Sequence, residues 1–206
     1  MKPDWIAPNR TAVIVIDCQV DFGAPDGEMA RRGADMTAPQ AALAKAVQLV
    51  DAARAAGVEV VFVRLLTRGE NDIAREARLR RGDDEADLCV EGTRGADFVG
   101  PRPLEGDTVI SKTHFSAFAR TGLADQLHAR GLDTLVLAGL TTECCVASSA
   151  WDGFEHDFHI FIAQDACAAY EADLHSHALK ALALSGATVT SVQEFAENWQ
   201  KTQQFN

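Results

Sequence analysis

The chain has 206 residues and a formal charge of −11, with 47% apolar and 24% charged residues. This balance is typical of an ordinary globular protein, and we expect one domain over residues 1–206. The acidic charge argues against nucleic acid or an anionic membrane as a partner, because both bind basic patches. No apolar run approaches the roughly 18 residues of a membrane span, and the first ten residues lack a secretory core. We therefore expect a cytoplasmic protein.

Apolar residues alternate between short continuous runs, typical of buried strands, and longer amphipathic stretches, typical of helices. Continuous strands that are each followed by a helix indicate a parallel sheet covered on both faces. We predict a three-layer, doubly wound α/β fold with a central, mainly parallel sheet of about six strands. In chain order the predicted elements are strand 11–17, helix 39–57, strands 58–64 and 107–112, helix 123–131, strand 133–139, helix 141–154 with a threonine cap, strand 158–165, helix 173–186, strand 188–192 and a short C-terminal helix.

One long connection interrupts this alternation. Residues 65–106 are rich in Arg, Gly, Asp and Pro, and they join the second and third strands by a path too long for a simple loop. Such an excursion is usually functional, for example as a lid or an oligomer contact. Arg68, Arg75, Arg78 and Arg94 lie in it; each is a candidate for binding a substrate carboxylate, although a surface position explains each one more simply.

The five cysteines show no sign of a disulfide framework or a zinc knuckle. Their number is odd and no C-x-x-C pair occurs, so we expect free thiols. Most free thiols are small buried hydrophobic side chains. The two that stand out are Cys144 and Cys145, which are adjacent and directly follow an apolar run.

An acid, a base and a thiol follow three of the predicted strands. The first strand ends in Asp17, the third ends in Lys112, and the fourth runs at Gly139 into the adjacent cysteines. Ligands of open parallel sheets bind outside the carboxyl ends of the strands. Each residue alone has a plain explanation as a cap, a solvent-facing strand end or core packing. Their coincidence at one edge is what indicates a site.

Such a trio suits amide hydrolysis by a nucleophilic thiol. A free thiol has a pKa of about 8.5, and both a helix N-terminus and a nearby ammonium favour the reactive thiolate. A carboxylate can take the thiol proton and pass it to a leaving amine, while backbone N–H groups hold the oxyanion. Position does not choose between the two cysteines, because neighbours on a helix differ by about 100° in direction.

Three motifs at these residues resemble those of the isochorismatase-like cysteine hydrolases. This family includes nicotinamidases, N-carbamoylsarcosine amidohydrolase, biuret hydrolase and ureidoacrylate amidohydrolase. VIVIDCQVDF resembles the D-x-Q-x-D-F signature, ISKTHFSAF the K-x-x-x-S-a-F segment, and LAGLTTECCVASSAWDG the G-x-x-T-x-x-C-V segment. CVEGTRGADF is similar to a stretch that precedes the lysine strand in several members. The resemblance covers about residues 10–195, with the motifs in the family's order.

The resemblance implies a role for each of the three residues. Asp17 takes the place of the proton-shuttling acid and Lys112 that of the catalytic lysine. The nucleophile lies six residues after the glycine, which makes it Cys145 and leaves Cys144 as a packed neighbour. The implied reaction is attack of the thiolate on an amide carbonyl, protonation of the leaving amine by Asp17, and release of the thioester by water.

The resemblance also implies details of the surrounding turn. A non-proline cis peptide is expected between Leu140 and Thr141, and the N–H groups of Thr141 and Cys145 are expected to form the oxyanion hole. Aromatic residues near the motifs, and the motif glutamine, are candidates for contact with the substrate, with core packing as the alternative for the aromatic ones. These candidates are Gln19, Phe22, Phe115, Phe118 and Trp151.

Departures from relatives narrow the activity. Metal-dependent nicotinamidases carry an Asp-x-His and a further histidine after the second strand, whereas no histidine here precedes His114. We therefore expect no metal and no other cofactor. Members that hydrolyse the vinyl ether of isochorismate have another residue in place of Cys145, which argues against that chemistry.

The leading hypothesis is therefore a cysteine-dependent amidohydrolase that acts on a small linear amide, carbamoyl or ureido compound. The alternatives are a vinyl-ether hydrolase of the isochorismatase type and a non-catalytic binding member of the same fold. The family resemblance further implies a homo-oligomer, either a dimer or a tetramer.

Overall fold

The computed structural model describes residues 1–68, 80 and 87–204, and a sheet of six strands lies at its centre. Each pairing within the sheet is parallel. The predicted doubly wound α/β fold is therefore confirmed. The strands are β1 (Thr11–Ile16), β2 (Glu59–Leu65), β3 (Thr108–Lys112), β4 (Thr134–Leu140), β5 (His159–Ala168) and β6 (Thr188–Thr190).

The strand order is β3-β2-β1-β4-β5-β6. From β1 the chain proceeds outward to β2 and β3, and it then returns to place β4 on the other side of β1. The point between β1 and β4, where the winding direction reverses, is where open α/β sheets bind ligands outside the strand ends. Asp17 follows β1 directly and the cysteine motif follows β4 directly, so the fold brings both to this point.

Helices cover both faces of the sheet. Along β1, Val13 and Val15 face the core on one side of the sheet, whereas Ile14 and Ile16 face the core on the other side. Burial on both faces explains why the strands are continuously apolar. The helices in the described ranges are α1 (Val20–Gly23), α2 (Glu28–Arg31), α3 (Thr37–Ala55), α4 (Leu123–Ala129), α5 (Ala147–Glu155), α6 (Ala172–Leu184) and α7 (Val192–Gln204).

The helix predicted over 141–154 divides into two parts. Thr142–Val146 forms a π-helical turn, and α5 begins only at Ala147. The predicted threonine cap is wrong, because Thr141 makes no side-chain bond to a backbone N–H; its hydroxyl donates instead to Oε1 of Glu143 at 2.8 Å. A carboxylate is a stronger acceptor than a neutral group, which favours this arrangement.

Two other differences concern helix and strand ends. The C-terminal helix is 13 residues long rather than short, because Phe195 and Trp199 bury their rings in the core. Strand β5 continues to Ala168, past the predicted end at residue 165, after an irregularity in its register with β4. None of the helices in the described ranges has the length and apolarity that crossing a membrane requires.

The close pairing of β1 and β4 requires a glycine beside the site. Gly139 pairs with Ile16, and its φ is +123°. A Cβ atom at Gly139 would lie 1.9 Å from the carbonyl oxygen of Ile16 and 2.8 Å from its nitrogen. Both atoms belong to the backbone of a buried strand, so neither can move away cheaply.

We expect Gly139→Ala to lower the free energy of unfolding by about 4 kcal/mol or more, since it forces β1 from β4 in a close-packed core. Gly57→Ala is the matched control: Gly57 also has a positive φ, of +74°, but faces open space. We expect it to cost about 1 kcal/mol. Urea titration measures both values, and equal losses would show that the collision with Ile16 is unimportant.

Candidate active site

The structure brings together the three residues that the sequence marked as catalytic. Lys112, the last residue of β3, reaches across the end of β2 toward β1 and β4. Its Nζ lies 2.7 Å from Oδ2 of Asp17 and 3.4 Å from Sγ of Cys145. The carbonyl oxygen of His114 is a third acceptor, at 3.0 Å. The three protons of the ammonium therefore each have an acceptor.

This geometry also distinguishes between the two cysteines. Lys112 donates to Cys145, which is 6% exposed, whereas Cys144 is only partly buried and lies outside this bond. The hydrogen bond that the thiols share lowers the pKa of Cys144 and raises the pKa of Cys145. The ammonium contact nevertheless favours Cys145 as the thiol that ionises during reaction, because a thiolate there is directly compensated.

The charged groups of the site are removed from water. Asp17 is fully buried and Lys112 is 2% exposed. Burial raises the pKa of Asp17, and the Lys112 ammonium opposes that effect. Burial by itself lowers the pKa of Lys112, but its interactions with Asp17 and Cys145 outweigh burial, so the pKa lies above its usual value. Lys112 therefore stays protonated at neutral pH.

One ammonium compensates one anion. The bond with Cys144, burial and the charge of Asp17 all raise the pKa of Cys145, while Lys112 lowers it. Two anions next to a single cation in a dry interior would repel each other, so Asp17 and Cys145 hold one proton between them. The 2.7 Å bond from Lys112 favours the carboxylate as the anion, with the proton on the thiol.

Asp17 has an unusual backbone and a free acceptor atom. Its φ is +50°, a left-handed conformation that aspartate tolerates better than most residues, and the residue directly follows β1. Its N–H donates to the carbonyl oxygen of Val63 in the neighbouring strand at 2.9 Å. Within the described residues, its buried Oδ1 has no hydrogen-bond partner.

The turn after β4 contains the features that the sequence led us to expect. The peptide bond between Leu140 and Thr141 is cis, and the π-helical turn that follows carries Cys145. The role of the Thr141 and Cys145 N–H groups as an oxyanion hole remains a prediction.

The D-x-Q-x-D-F motif, residues 17–22, binds residues 89–96 of the excursion. Oε1 of Gln19 accepts the N–H of Leu65 at 2.8 Å, and its Nε2 donates to the carbonyl oxygens of Leu65 and Ala96 at 2.9 and 3.0 Å. Asp21 accepts the N–H of Cys89 at 2.8 Å. Gln19 is 0% exposed, as is Asp17, and its contact with the substrate remains a prediction. Its amide is used to join backbone segments.

Gly95, the second glycine in CVEGTRGADF, lies against the side chain of Asp21. A Cβ atom at Gly95 would lie 2.1 Å from Oδ2 of Asp21, so only glycine lets this segment approach the carboxylate. The predicted lid or oligomer role of the excursion concerns residues 65–106, of which 69–79 and 81–86 lie outside the described residues. That role remains a prediction.

The aromatic candidates divide into two groups. Phe118 is 5% exposed and stacks on Phe158 with a centroid distance of 5.8 Å, and its contact with the substrate also remains a prediction. Phe115 and Trp151 are exposed, and Phe22 is half-buried beside the core. For these three, contact with the substrate remains a prediction.

Two residues near the site were not predicted from the sequence. Glu143 lies two residues before Cys145, and its Oε2 is buried without a hydrogen-bond partner in the described part of the chain. Tyr170 follows β5, and its hydroxyl donates to the carbonyl oxygen of Phe22 at 2.9 Å. Glu143 lies within the G-x-x-T-x-x-C-V segment, so the sequence could have identified it. Tyr170 follows a predicted strand, and ligands of open parallel sheets bind outside the carboxyl ends of the strands, so its position could have identified it.

Two of the four candidate arginines in the excursion are described, and both are paired. Arg68 bonds Glu91 at 3.1 Å and Arg94 bonds Asp26 at 2.8 Å. Arg75 and Arg78 lie outside the described residues. Over the ranges that the structure describes, no group of three or more His, Cys, Asp or Glu side chains could hold a metal ion.

Known proteins share this fold and chain length. Residues 11–194 match the family model of the isochorismatase domain. Ureidoacrylate amidohydrolase RutB of Agrobacterium fabrum is 28% identical over 208 residues, which cover 94% of this chain and 87% of that protein. A cysteine hydrolase from Pseudomonas syringae superposes with a TM-score of 0.83 at 26% identity, over 94% of each chain. N-carbamoylsarcosine amidase from Thermoplasma acidophilum has a TM-score of 0.70 and 26% identity, over 89% of this chain and 96% of that one.

The fold and the site define a doubly wound α/β protein with a buried lysine, aspartate and cysteine at the point between β1 and β4 where the winding direction reverses. Since the family model matches most of the chain, the protein belongs to the isochorismatase family.

We expect Lys112→Met to lower the free energy of unfolding by about 3–5 kcal/mol near pH 8, because it leaves the buried Asp17 carboxylate uncompensated. The pKa of Asp17 then rises further above its unfolded value, so stability is lost as the pH increases, and the loss is smaller at pH 5. The double variant Asp17→Asn, Lys112→Met should recover to within about 1 kcal/mol of the wild type. Denaturant titration at both pH values measures this; a double variant no more stable than the single one would contradict the coupling.

Proposed function

We propose that the protein is a cysteine-dependent amidohydrolase, which cleaves a C–N bond of a small linear amide, carbamoyl or ureido compound through a thioester. The observation that carries this proposal is the Lys112 ammonium, bonded to Asp17 and Cys145 at once. Two of the similar proteins are named as an amidohydrolase and an amidase. A nucleophilic thiol supports amide cleavage over vinyl-ether hydrolysis, which has no use for one.

The first half of the reaction forms the thioester. Asp17 takes the proton of Cys145 as the sulfur attacks the carbonyl carbon, and the carbonyl π electrons move to oxygen. The N–H groups of Thr141 and Cys145 stabilise this oxyanion. Collapse of the tetrahedral intermediate breaks the C–N bond, and protonated Asp17 delivers its proton to the departing nitrogen.

The second half restores the enzyme. A water molecule gives a proton to the Asp17 carboxylate and attacks the thioester carbon. The C–S bond breaks, the sulfur leaves as a thiolate paired with Lys112, and the proton returns to it from Asp17. The products are ammonia or an amine, and an acid.

We also propose the organisation of the protein around this site. Residues 1–206 form a single domain, which the family match over residues 11–194 supports. The excursion over 65–106 acts as a lid or an oligomer contact, and the protein acts in the cytoplasm as a homodimer or homotetramer.

We expect Cys145→Ala to lower ammonia release by more than about 10³-fold with the fold intact, because the nucleophile is lost. Cys144→Ala is the matched control and should retain turnover, since Cys144 lacks the Lys112 bond. An ammonia-release screen over nicotinamide, biuret, carbamoyl amino acids, ureidoacrylate and maleamate supplies the substrate, and circular dichroism checks folding. Full activity in Cys145→Ala, with loss in Cys144→Ala, would overturn the assignment.

We expect Asp17→Asn to abolish turnover but to accelerate alkylation of Cys145 by iodoacetamide. Removing the carboxylate leaves Lys112 to compensate the thiolate alone, so the pKa of Cys145 falls; a fall of one unit gives about tenfold faster labelling at pH 7. Mass spectrometry in a Cys144→Ala background measures the rate at Cys145 alone. Slower labelling than in the Asp17 parent would show that the carboxylate is needed to generate the thiolate.

A further inference from the structure

A cavity of about 330 Å³ lies beside the end of β5, at the same edge of the sheet as the catalytic residues. Six of its eleven lining residues are alanines, contributed by α3, β5, α6 and the segment that joins β5 to α6. Small side chains leave the space open and make most of its wall apolar. A volume of this size suits a small linear molecule.

Residues in the wall of the cavity contact the segments that carry Asp17 and Cys145. Tyr170 lines it and bonds the carbonyl oxygen of Phe22, which belongs to the Asp17 motif. His175 also lines it, and its Nδ1 lies 2.8 Å from the hydroxyl of Thr142, in the turn that carries Cys145. Burial and the charge of Glu143 raise the pKa of Tyr170, while the charge of Arg32 opposes them.

The charges around the cavity are mainly negative. Asp35 and Asp165 line it, and Glu143 lies close enough to act on His175. Burial lowers the pKa of His175, so its imidazole is neutral at neutral pH. Lys45 stands 3.8 Å from Asp165 and offsets one of these charges.

The arginines near this edge offset these acids only in part: Arg32 is close enough to lower the pKa of Tyr170 in the cavity wall. In the described part of the chain, they make ion pairs with neighbouring acids. These pairs are Arg31 with Glu28 at 2.7 Å, Arg32 with Glu28 at 3.2 Å, Arg68 with Glu91 at 3.1 Å and Arg94 with Asp26 at 2.8 Å. A substrate carboxylate would therefore meet acids here rather than an arginine clamp.

We propose that this alanine-lined cavity binds the non-reacting end of the substrate, and that this end carries an ammonium or another N–H donor rather than a carboxylate. The inference rests on the proposed amidohydrolase function and adds its substrate class. The alanines accept a short methylene chain, while Asp35, Asp165 and Glu143 favour a group that is positively charged or donates hydrogen bonds.

Ureas with different second ends test the proposal. (3-Aminopropyl)urea and 4-ureidobutanoate share a linker of three methylene groups and differ in the sign of the terminal charge, butylurea has no charge, and methylurea is too short to occupy the cavity. We expect the wild-type kcat/KM for (3-aminopropyl)urea to exceed that for 4-ureidobutanoate by about tenfold or more.

Two substitutions locate that preference in the cavity. Ala41→Leu, on an exposed part of α3 at the cavity wall, should lower kcat/KM for (3-aminopropyl)urea by about tenfold and leave methylurea unchanged. Ala44→Leu, exposed on the same helix but outside the cavity, is the matched control and should change neither. Asp35→Asn should raise KM for the ammonium substrate by about threefold to fivefold, and leave butylurea unchanged.

The outcomes separate this inference from the proposed function. A preference for 4-ureidobutanoate, or an equal effect of Ala41→Leu on methylurea and on the longer ureas, would overturn the inference while amide hydrolysis stands. If the wild type hydrolyses no urea, calorimetric binding of (3-aminopropyl)urea to Cys145→Ala decides the matter. Binding that Ala41→Leu removes supports the cavity, and binding that it leaves intact, or no binding, overturns it.

Discussion

The buried ammonium of Lys112 is the group on which the site depends. It is 2% exposed, and such a charge is tolerated only with acceptors around it. Asp17, Cys145 and the carbonyl oxygen of His114 are those acceptors. Because one cation serves two potential anions, a proton can move between sulfur and carboxylate without changing the net charge of the cluster. The reaction therefore begins without placing a new net charge in the interior, where it would be costly.

The rest of the fold holds this cluster in register. Close pairing of β1 with β4 at Gly139 sets Asp17 beside the turn that carries the thiol. Gln19 ties the end of β2 to the returning excursion, and Asp21 receives the backbone of Cys89. Within the D-x-Q-x-D-F motif, Asp17 contacts the catalytic lysine, whereas Gln19 and Asp21 bind backbone groups.

Sequence patterns predicted the strands well because each is buried on both faces and reads as a continuous apolar run. Helix ends were less certain. The stretch after β4 contains helix-forming residues, but its π-helical turn packs against α6 and contacts Lys112, and no local pattern contains these contacts. The stacking of Phe118 on Phe158 is likewise a contact between residues distant in the chain, which the motif alone does not predict.

By itself, the sequence determined the doubly wound fold and the order of the motifs, and it indicated that an acid, a lysine and a thiol follow three strands. Those properties follow from apolar periodicity and residue type, which are local. Tertiary structure decided which cysteine the ammonium contacts, that Gln19 binds backbone, and that alanines from separate elements enclose a cavity beside the site. These are contacts between residues distant in the chain, whose distances are set only when the strands pair and the helices pack.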